Sequence, residues 1–266
     1  MEALVHRYIA LWKSFFNNSL SRDLEFKANF LGGLVVDIIY YSIQFFFFSV
    51  IYSYVEAIGV FKREDVIIFL VVTFLADTCY MFFFSGNLFN LNNWMVKGDL
   101  DYFLLKPLES QFIISFRYVK SYAILSLIIL IIMLTNLLLA YPSSIGFFNI
   151  ISFIFSFIMG IIIWYSIDFI ISSSCFWFKN FSVAGWLSHE IIKFSSRPDA
   201  IYTGLLRKIL FSVVPMTLIA SIPTRNLLYG PNLVYLVWQF FIAIIFFFFT
   251  RIIWKKGILR YESASS

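Results

Sequence analysis

Three aspartates sit inside sequence that is otherwise apolar: Asp37, Asp77 and Asp168. A carboxylate with hydrocarbon around it is costly, so each has to find a hydrogen-bond donor, a cation or water. Three chemistries suit such groups. They can be separate structural acids, they can line a cavity for a cationic substrate or a polar headgroup, or they can pass protons along a relay. A second candidate is the run from Val96 to Leu108. Gly98 frees the backbone there, and Asp99 can cap a short helix beginning at Leu100. Leu100, Phe103 and Leu104 would form its apolar face, Lys97, Asp101 and Lys106 would stay in solvent, and Pro107 would end it. Such a helix is either a docking element on a rigid base or a turn that merely joins its neighbours.

Other chemistry is missing. His189 and Glu190 open like a zinc-protease helix, but Lys193 stands where the second His belongs, and one His cannot complete that site. No Gly is followed by Lys, so there is no phosphate-binding P-loop, and any ATP used must be bound by another chain. With His6 and His189 as the only histidines, no Ser-His-Asp set is visible, and no catalytic residue is assigned. Cys79 and Cys175 both lie in apolar segments and read as packing residues, with no disulfide, metal or cofactor expected.

The elements that carry these residues must live in a membrane. Hydrophobic residues make up 61% of the chain and charged residues 13%, against about 45–50% and about 25% in soluble domains. Lipid must therefore solvate much of the surface. Six apolar stretches are expected to span, at 30–55, 66–86, 121–140, 147–178, 209–222 and 232–250. The fifth is short and contains Pro215, so it could be re-entrant. The first apolar run is far longer than a signal-peptide core and reads as a retained span.

Lys and Arg set the direction. Arg7, Lys13, Arg22 and Lys27 precede the first span. Lys97, Lys106, Arg117 and Lys120 lie between the second and third. Lys179, Lys193, Arg197, Arg207 and Lys208 lie between the fourth and fifth, and Arg251, Lys255, Lys256 and Arg260 follow the last. Those alternate gaps hold 17 of the 20 basic residues, leaving Lys62, Arg63 and Arg225 for the other side. The asymmetry predicts both termini in the cytosol of a multi-pass plasma-membrane protein. The net charge of +5 then reflects orientation and anionic lipid, not nucleic-acid binding. On this map each of the three acids lies roughly 10–15 Å from the cytosolic end of its span. That depth suggests one shared polar layer, with Arg117, Lys120, Arg207 and Lys208 as the nearest cations.

Residues 1–27 form an arm with Leu4, Tyr8, Leu11, Trp12, Phe15 and Phe16 on one helical face. The preferred expectation is an amphipathic helix in the inner membrane interface. The other is a helix packed on the protein's own surface. Residues 28–254 would form the membrane domain, and 255–266 a cytosolic tail.

The run Gly98-Asp99-Leu100-Asp101, with Leu104-Leu105 and Pro107-Leu108 after it, resembles the segment between spans two and three of type-2 ABC export permeases. It is most similar to the small six-span branch with a single membrane domain. The closing run Trp254-Lys255-Lys256-Gly257-Ile258-Leu259-Arg260-Tyr261-Glu262-Ser263-Ala264 is similar to that branch's last motif, with Gly257-Ile258 in place of its usual Gly-Leu. Ile201-Tyr202, Leu210 to Pro215 and Ile222-Pro223 resemble its fifth-span region. The resemblance covers essentially the whole chain. It implies an all-α fold of six transmembrane helices and the role of membrane subunit in an ABC exporter. It also implies a cytosolic ABC ATPase partner holding ATP and Mg, and a second permease copy or a sibling permease. Residues Lys97 to Pro107 would be the ATPase-coupling helix. The rival expectations are an ion-coupled secondary transporter working through the three acids, and a non-transporting membrane scaffold.

Overall fold

The computed structural model describes residues 2–178 and 183–261, with side chains from residue 5 onward. Lys179, the side chain of Leu4 and residues 262–266 lie outside the described residues. Helix α1 (Glu2–Glu25) is followed by α2 (Lys27–Ile51). A two-stranded hairpin, β1 (Ala57–Ile58) and β2 (Phe61–Lys62), then turns the chain, with Gly59 at φ +64°. Helix α3 (Arg63–Tyr80) runs back through a π-turn (Met81–Ser85) into α4 (Gly86–Leu88) and α5 (Leu91–Lys97). Two short helices follow, α6 (Asp99–Leu104) and α7 (Ser110–Phe116). The rest comprises α8 (Ala123–Leu139), α9 (Phe147–Ser173), α10 (Ala184–Ile192), α11 (Gly204–Ser212), α12 (Thr217–Tyr229) and α13 (Leu233–Ile258).

The fold is all-α apart from the hairpin. Among the described residues, four stretches are long and apolar enough to cross a membrane: Lys27–Ile51, Arg63–Lys97, Phe147–Phe176 and Leu233–Ile258. The bent pair α11–α12 makes a fifth if counted as one span, and α8 is a shorter apolar helix. Helix α3 is the central post, with Phe69, Val71 and Val72 fully buried. It packs against α8 and α12, while α9 lies between α12 and α13. Helix α2 is apolar on every side, and Val36, Ile39, Ile43 and Phe46 remain exposed on it, as they should where lipid is the solvent.

The arm corrects the interface expectation. Its apolar stripe is used on the protein itself. Trp12 packs on Phe16 and Phe83 at 5.8 and 5.7 Å, and Tyr8 meets Phe112 edge-on at 4.6 Å. The opposite face, with Val5, Ile9 and Lys13, is exposed. Polar ties fix the register. The Val119 N–H donates to the Ser19 hydroxyl (3.1 Å), and the Ser121 hydroxyl to Asp23 (2.7 Å).

The larger correction concerns the fifth span. Residues 209–222 are not one helix. Helix α11 stops at Ser212, Pro215 stands in the gap, and α12 leaves at 89° to α11. Nor does the segment before them stay at the end where the chain leaves α9. A Cβ on Gly185 would meet the Phe89 ring, beyond the end of α3. Ser188 donates to Asp168 near the end of α9. Ser196 lies close to Tyr40, midway along α2. The Asp199 N–H donates to Ser221 on α12 (3.0 Å), and Ala200 packs against Gly59 in the hairpin. Residues 184–201 thus climb from the α5–α7 end of the bundle to the hairpin end. Arg197, Arg207 and Lys208 accompany Arg225 at the hairpin end, not the α5–α7 end expected from the charge count. Hydropathy missed this passage because His189, Glu190, Lys193, Arg197 and Pro198 interrupt it.

Helices α9 and α12 approach at Gly160, where a Cβ would lie 2.7 Å from the Ile219 carbonyl oxygen. Gly160→Val should overpack this crossing and destabilise the protein by about 1–3 kcal/mol. A thermal unfolding midpoint equal to that of the native protein would contradict this packing.

Candidate functional site

The segment 97–107 forms the short helix that its spacing predicts, with one correction: Asp99 is the first residue of α6 and not its cap, since Gly98 stands at the cap position and no side chain caps the helix. Gly98 adopts φ +78°, a conformation open to glycine, and separates α5 from α6. Leu100 and Phe103 are buried and Leu104 is half-buried, so the predicted apolar face is the one that anchors α6. Lys97, Asp99, Tyr102, Leu105 and Pro107 are exposed. Asp101 lies beside Tyr261 of the closing run, and burial, then that carboxylate, push the Tyr261 hydroxyl up to about 12. Lys106 stands 5.2 Å over the Tyr102 ring. Desolvation, then the positive charge of Arg117, pull its ammonium below the usual lysine range. Arg117 itself sits over Phe103 at 5.2 Å.

Residues outside the predicted set hold this platform. Arg7 donates to the Pro107 carbonyl (3.3 Å), and the Glu109 N–H donates to the Tyr8 hydroxyl (3.2 Å). Glu109 caps α7 through the Phe112 N–H (2.7 Å) and pairs with Arg251. Trp254 donates to the Ser110 hydroxyl (3.0 Å). Helices α1, α6, α7 and α13 are thereby joined around one exposed surface. Glu109 could have been noticed in the sequence as a capping acid two residues after Pro107.

The three acids divide. The Asp37 carboxylate accepts from Ser126 on α8 (2.9 Å) and is buried. Asp77 is half-buried and interacts electrostatically with Asp37 and with Lys120. Burial pulls Lys120, just ahead of α8, below the usual lysine range, and Asp77 and Asp37 oppose that pull. Asp168 has its own pocket, where it accepts from Tyr80 of α3 and Ser188 of α10. Tyr80 follows Asp77 by less than one helical turn. The surroundings differ: one pair shares a lysine, and one acid is a three-helix tie. Of the cations expected nearby, only Lys120 takes part.

A buried acid outside the predicted set is Asp199. It accepts both Arg225 terminal contacts at 2.8 and 3.0 Å and Arg207 at 3.3 Å. Arg225 also lies 5.2 Å over the Phe61 ring. This cluster ties residues 184–201 to α11, α12 and the hairpin. Its sequence signal was weak, because Pro198-Asp199 reads as a turn. Among the described residues, no group of three or more metal-ligating side chains comes together.

A family model described as ABC-2 family transporter protein matches residues 38–265. Among curated proteins and solved structures, none matches the chain.

Asp168→Ala should leave the Tyr80 and Ser188 hydroxyls without their acceptor, at a cost of about 1–3 kcal/mol for each buried donor left unsatisfied. Asp77→Ala should be milder, since that carboxylate is half-buried. Equal unfolding midpoints for the two variants would contradict the separate roles.

Proposed function

The chain belongs to the ABC-2 family of transporter proteins, and from that premise we propose that it is the membrane-spanning permease subunit of an ABC exporter. ATP and Mg would be held by a separate cytosolic ABC ATPase, since the sequence has no P-loop of its own. One observation carries the reading. Leu100 and Phe103 root α6 in the core, while Lys97, Asp99, Tyr102 and Leu105 project together at one end of the bundle. A charged and apolar surface on a fixed base suits a protein contact better than a connecting turn. Ties from α1 and α13 make it stiff enough to pass a push into the helices.

The six-span topology follows with an altered fifth member: α2, the α3–α5 run, α8, α9, residues 184–201 and α13. Helices α11 and α12 form a re-entrant pair at the hairpin end. An even number of crossings keeps both termini on one side. The α5–α7 end still carries most of the basic residues, so it is the cytosolic end. Lipid covers the apolar faces of α2 and α13. A second copy of the chain, or a sibling permease, completes the transporter. The Asp37–Asp77–Lys120 group is the feature that favours ion coupling as a second reading, because a half-buried acid beside a lysine can exchange protons.

Two experiments test these assignments. A cytosol-only reporter should be active after Ser266 and silent at Ser144 and at Lys208; activity at Lys208 would restore the fifth span to 209–222. Reversing both Asp99 and Asp101 to Lys should leave a folded permease that no longer stimulates ATP hydrolysis. Normal complex formation and transport by that variant would remove α6 from the contact.

A further inference from the structure

Helix α11 shows both apolar and basic side chains to its surroundings. Leu205 is 74% exposed and Leu206 is exposed beside it, and Arg207 and Lys208 follow directly, also exposed. The helix lies at 89° to α12. Its last turn is fastened to both neighbours. The Trp238 indole N–H of α13 donates to the Phe211 carbonyl (2.8 Å), and the Thr217 hydroxyl of α12 donates to the Leu210 carbonyl (2.7 Å). Both carbonyls belong to the helix end, where the helix itself supplies no donor.

Between α11 and the first turns of α13 runs an open groove of about 630 Å³. Phe211 forms one wall, and Leu233, Val234, Val237, Trp238 and Phe241 form the other. Its volume falls within the roughly 300–1,000 Å³ of small-molecule sites. Val234 is 76% exposed and Phe241 is exposed below it, so the groove continues into the apolar surface of α13 that lipid covers. Charge stands at its edge. The Arg207 guanidinium lies 5.5 Å from the centre of the Phe211 ring, and Lys208 is on the same turn. Arg207 shares Asp199 with Arg225, which holds that carboxylate through two contacts. Among the described residues, no ion pair includes Lys208. Three cations therefore stand around one carboxylate.

The occupant has to satisfy an apolar groove and a cationic edge together. A second copy of this face does not. Residues 204–212 and 233–250 contain no Asp or Glu, so two copies meeting here would set their cations against each other. We propose that the groove is a binding site for an anionic phospholipid in the leaflet at the hairpin end. One acyl chain lies against Phe211, Val234, Val237 and Phe241, and Lys208 and Arg207 hold the head-group phosphate. Long basic side chains reach from an apolar level to the head groups in this way. Each such cation near a membrane surface favours anionic lipid by about 5-fold. A zwitterionic head group would bring its own cation to a site where cations are already in excess. The proposal goes beyond the exporter reading and requires only that the chain lie in a membrane.

The test uses the full chain in phosphatidylcholine nanodiscs. They carry a small share of one photoactivatable probe, phosphatidylglycerol or phosphatidylcholine, each with a diazirine on its acyl chain. After irradiation, mass spectrometry locates the label. Labelling within 204–212 and 233–241 is divided by labelling on the exposed Ile128–Ile132 stretch of α8, a helix without charged residues. The normalised value should be about 5-fold or more higher for the phosphatidylglycerol probe. Lys208→Gln should bring the two probes toward parity, and Lys208→Arg should keep the preference. Lys208 is exposed and outside every ion pair described, so neither change removes a contact that the fold uses. Val234→Trp, which fills the groove from its exposed wall, should lower labelling by both probes there and leave α8 unchanged. Equal labelling by the two probes in the native chain would reduce the groove to ordinary lipid contact and overturn the site. A phosphatidylglycerol preference untouched by Lys208→Gln would overturn the assignment of the head group to α11. Absence of label from both stretches would mean that protein, a second copy included, covers the groove, and would overturn the lipid site. Neither transport nor ATP hydrolysis enters the measurement, so failure of the exporter reading leaves its result unchanged.

Discussion

Lipid offers no hydrogen bonds, and the interior of this bundle is arranged around that constraint. Several polar side chains inside it are answered by another helix. Tyr41 of α2 meets Thr78 of α3 at 2.8 Å, and Ser156 of α9 donates to Gln239 of α13, which itself donates to the Leu218 carbonyl of α12. Gln111 of α7 reaches both Tyr165 of α9 and Thr250 of α13, each at 3.1 Å. Apolar packing cannot choose among helix partners when the solvent is also apolar. These directed contacts can, because a misplaced helix would strand a donor in hydrocarbon. They set which helices are neighbours, and the Phe-rich surfaces fill in around them.

The same constraint explains how residues 184–201 pass through the bundle without a long apolar sequence. One side of the segment is satisfied by protein: Ser188 on Asp168, and Asp199 between two arginines. Asp199 carries one negative charge against Arg225 and Arg207, and Arg197 and Lys208 stay exposed, so neutralisation does not explain the charge count. The count was misled because residues 184–201 cross the bundle without a long apolar run and carry these cations to the hairpin end.

The sequence therefore showed what depends on local pattern. The ends of α2 and α9 fall near the apolar runs, whereas α13 continues past its run to Ile258, and the Leu100–Phe103 face of α6 follows from spacing alone. Long-range partners were hidden. Nothing near Glu109 in the chain announces Arg251, and nothing near Asp168 announces Tyr80. The arm was misassigned for a related reason. An apolar stripe at Tyr8, Trp12 and Phe16 fits a membrane surface or a protein surface equally well, and only the position of Phe82, Phe83 and Phe112 decides between them. The places of the acids in the spans said nothing about which face of a helix each carboxylate occupies.

One further set of contacts joins the α5–α6 platform to residues 184–201. Phe89 follows α4 directly and precedes α5, and its ring packs against Gly185 at the start of α10. Met95 of α5 touches Cys175 just beyond α9, with their sulfur atoms 3.0 Å apart. The α5–α6 platform thus bears on the base of residues 184–201. Movement of the platform can be absorbed at Gly98, whose left-handed backbone tolerates rotation, or it can pass through Phe89 into α10. The ties from Arg7, Tyr8, Glu109 and Trp254 brace the far side of the platform and oppose the first route. What remains is displacement of α10 against α9, where Asp168 holds Ser188. Displacement of α6 would accordingly press on α10 through Phe89, close to the Ser188–Asp168 contact, and on α13 through the Glu109–Arg251 and Ser110–Trp254 contacts.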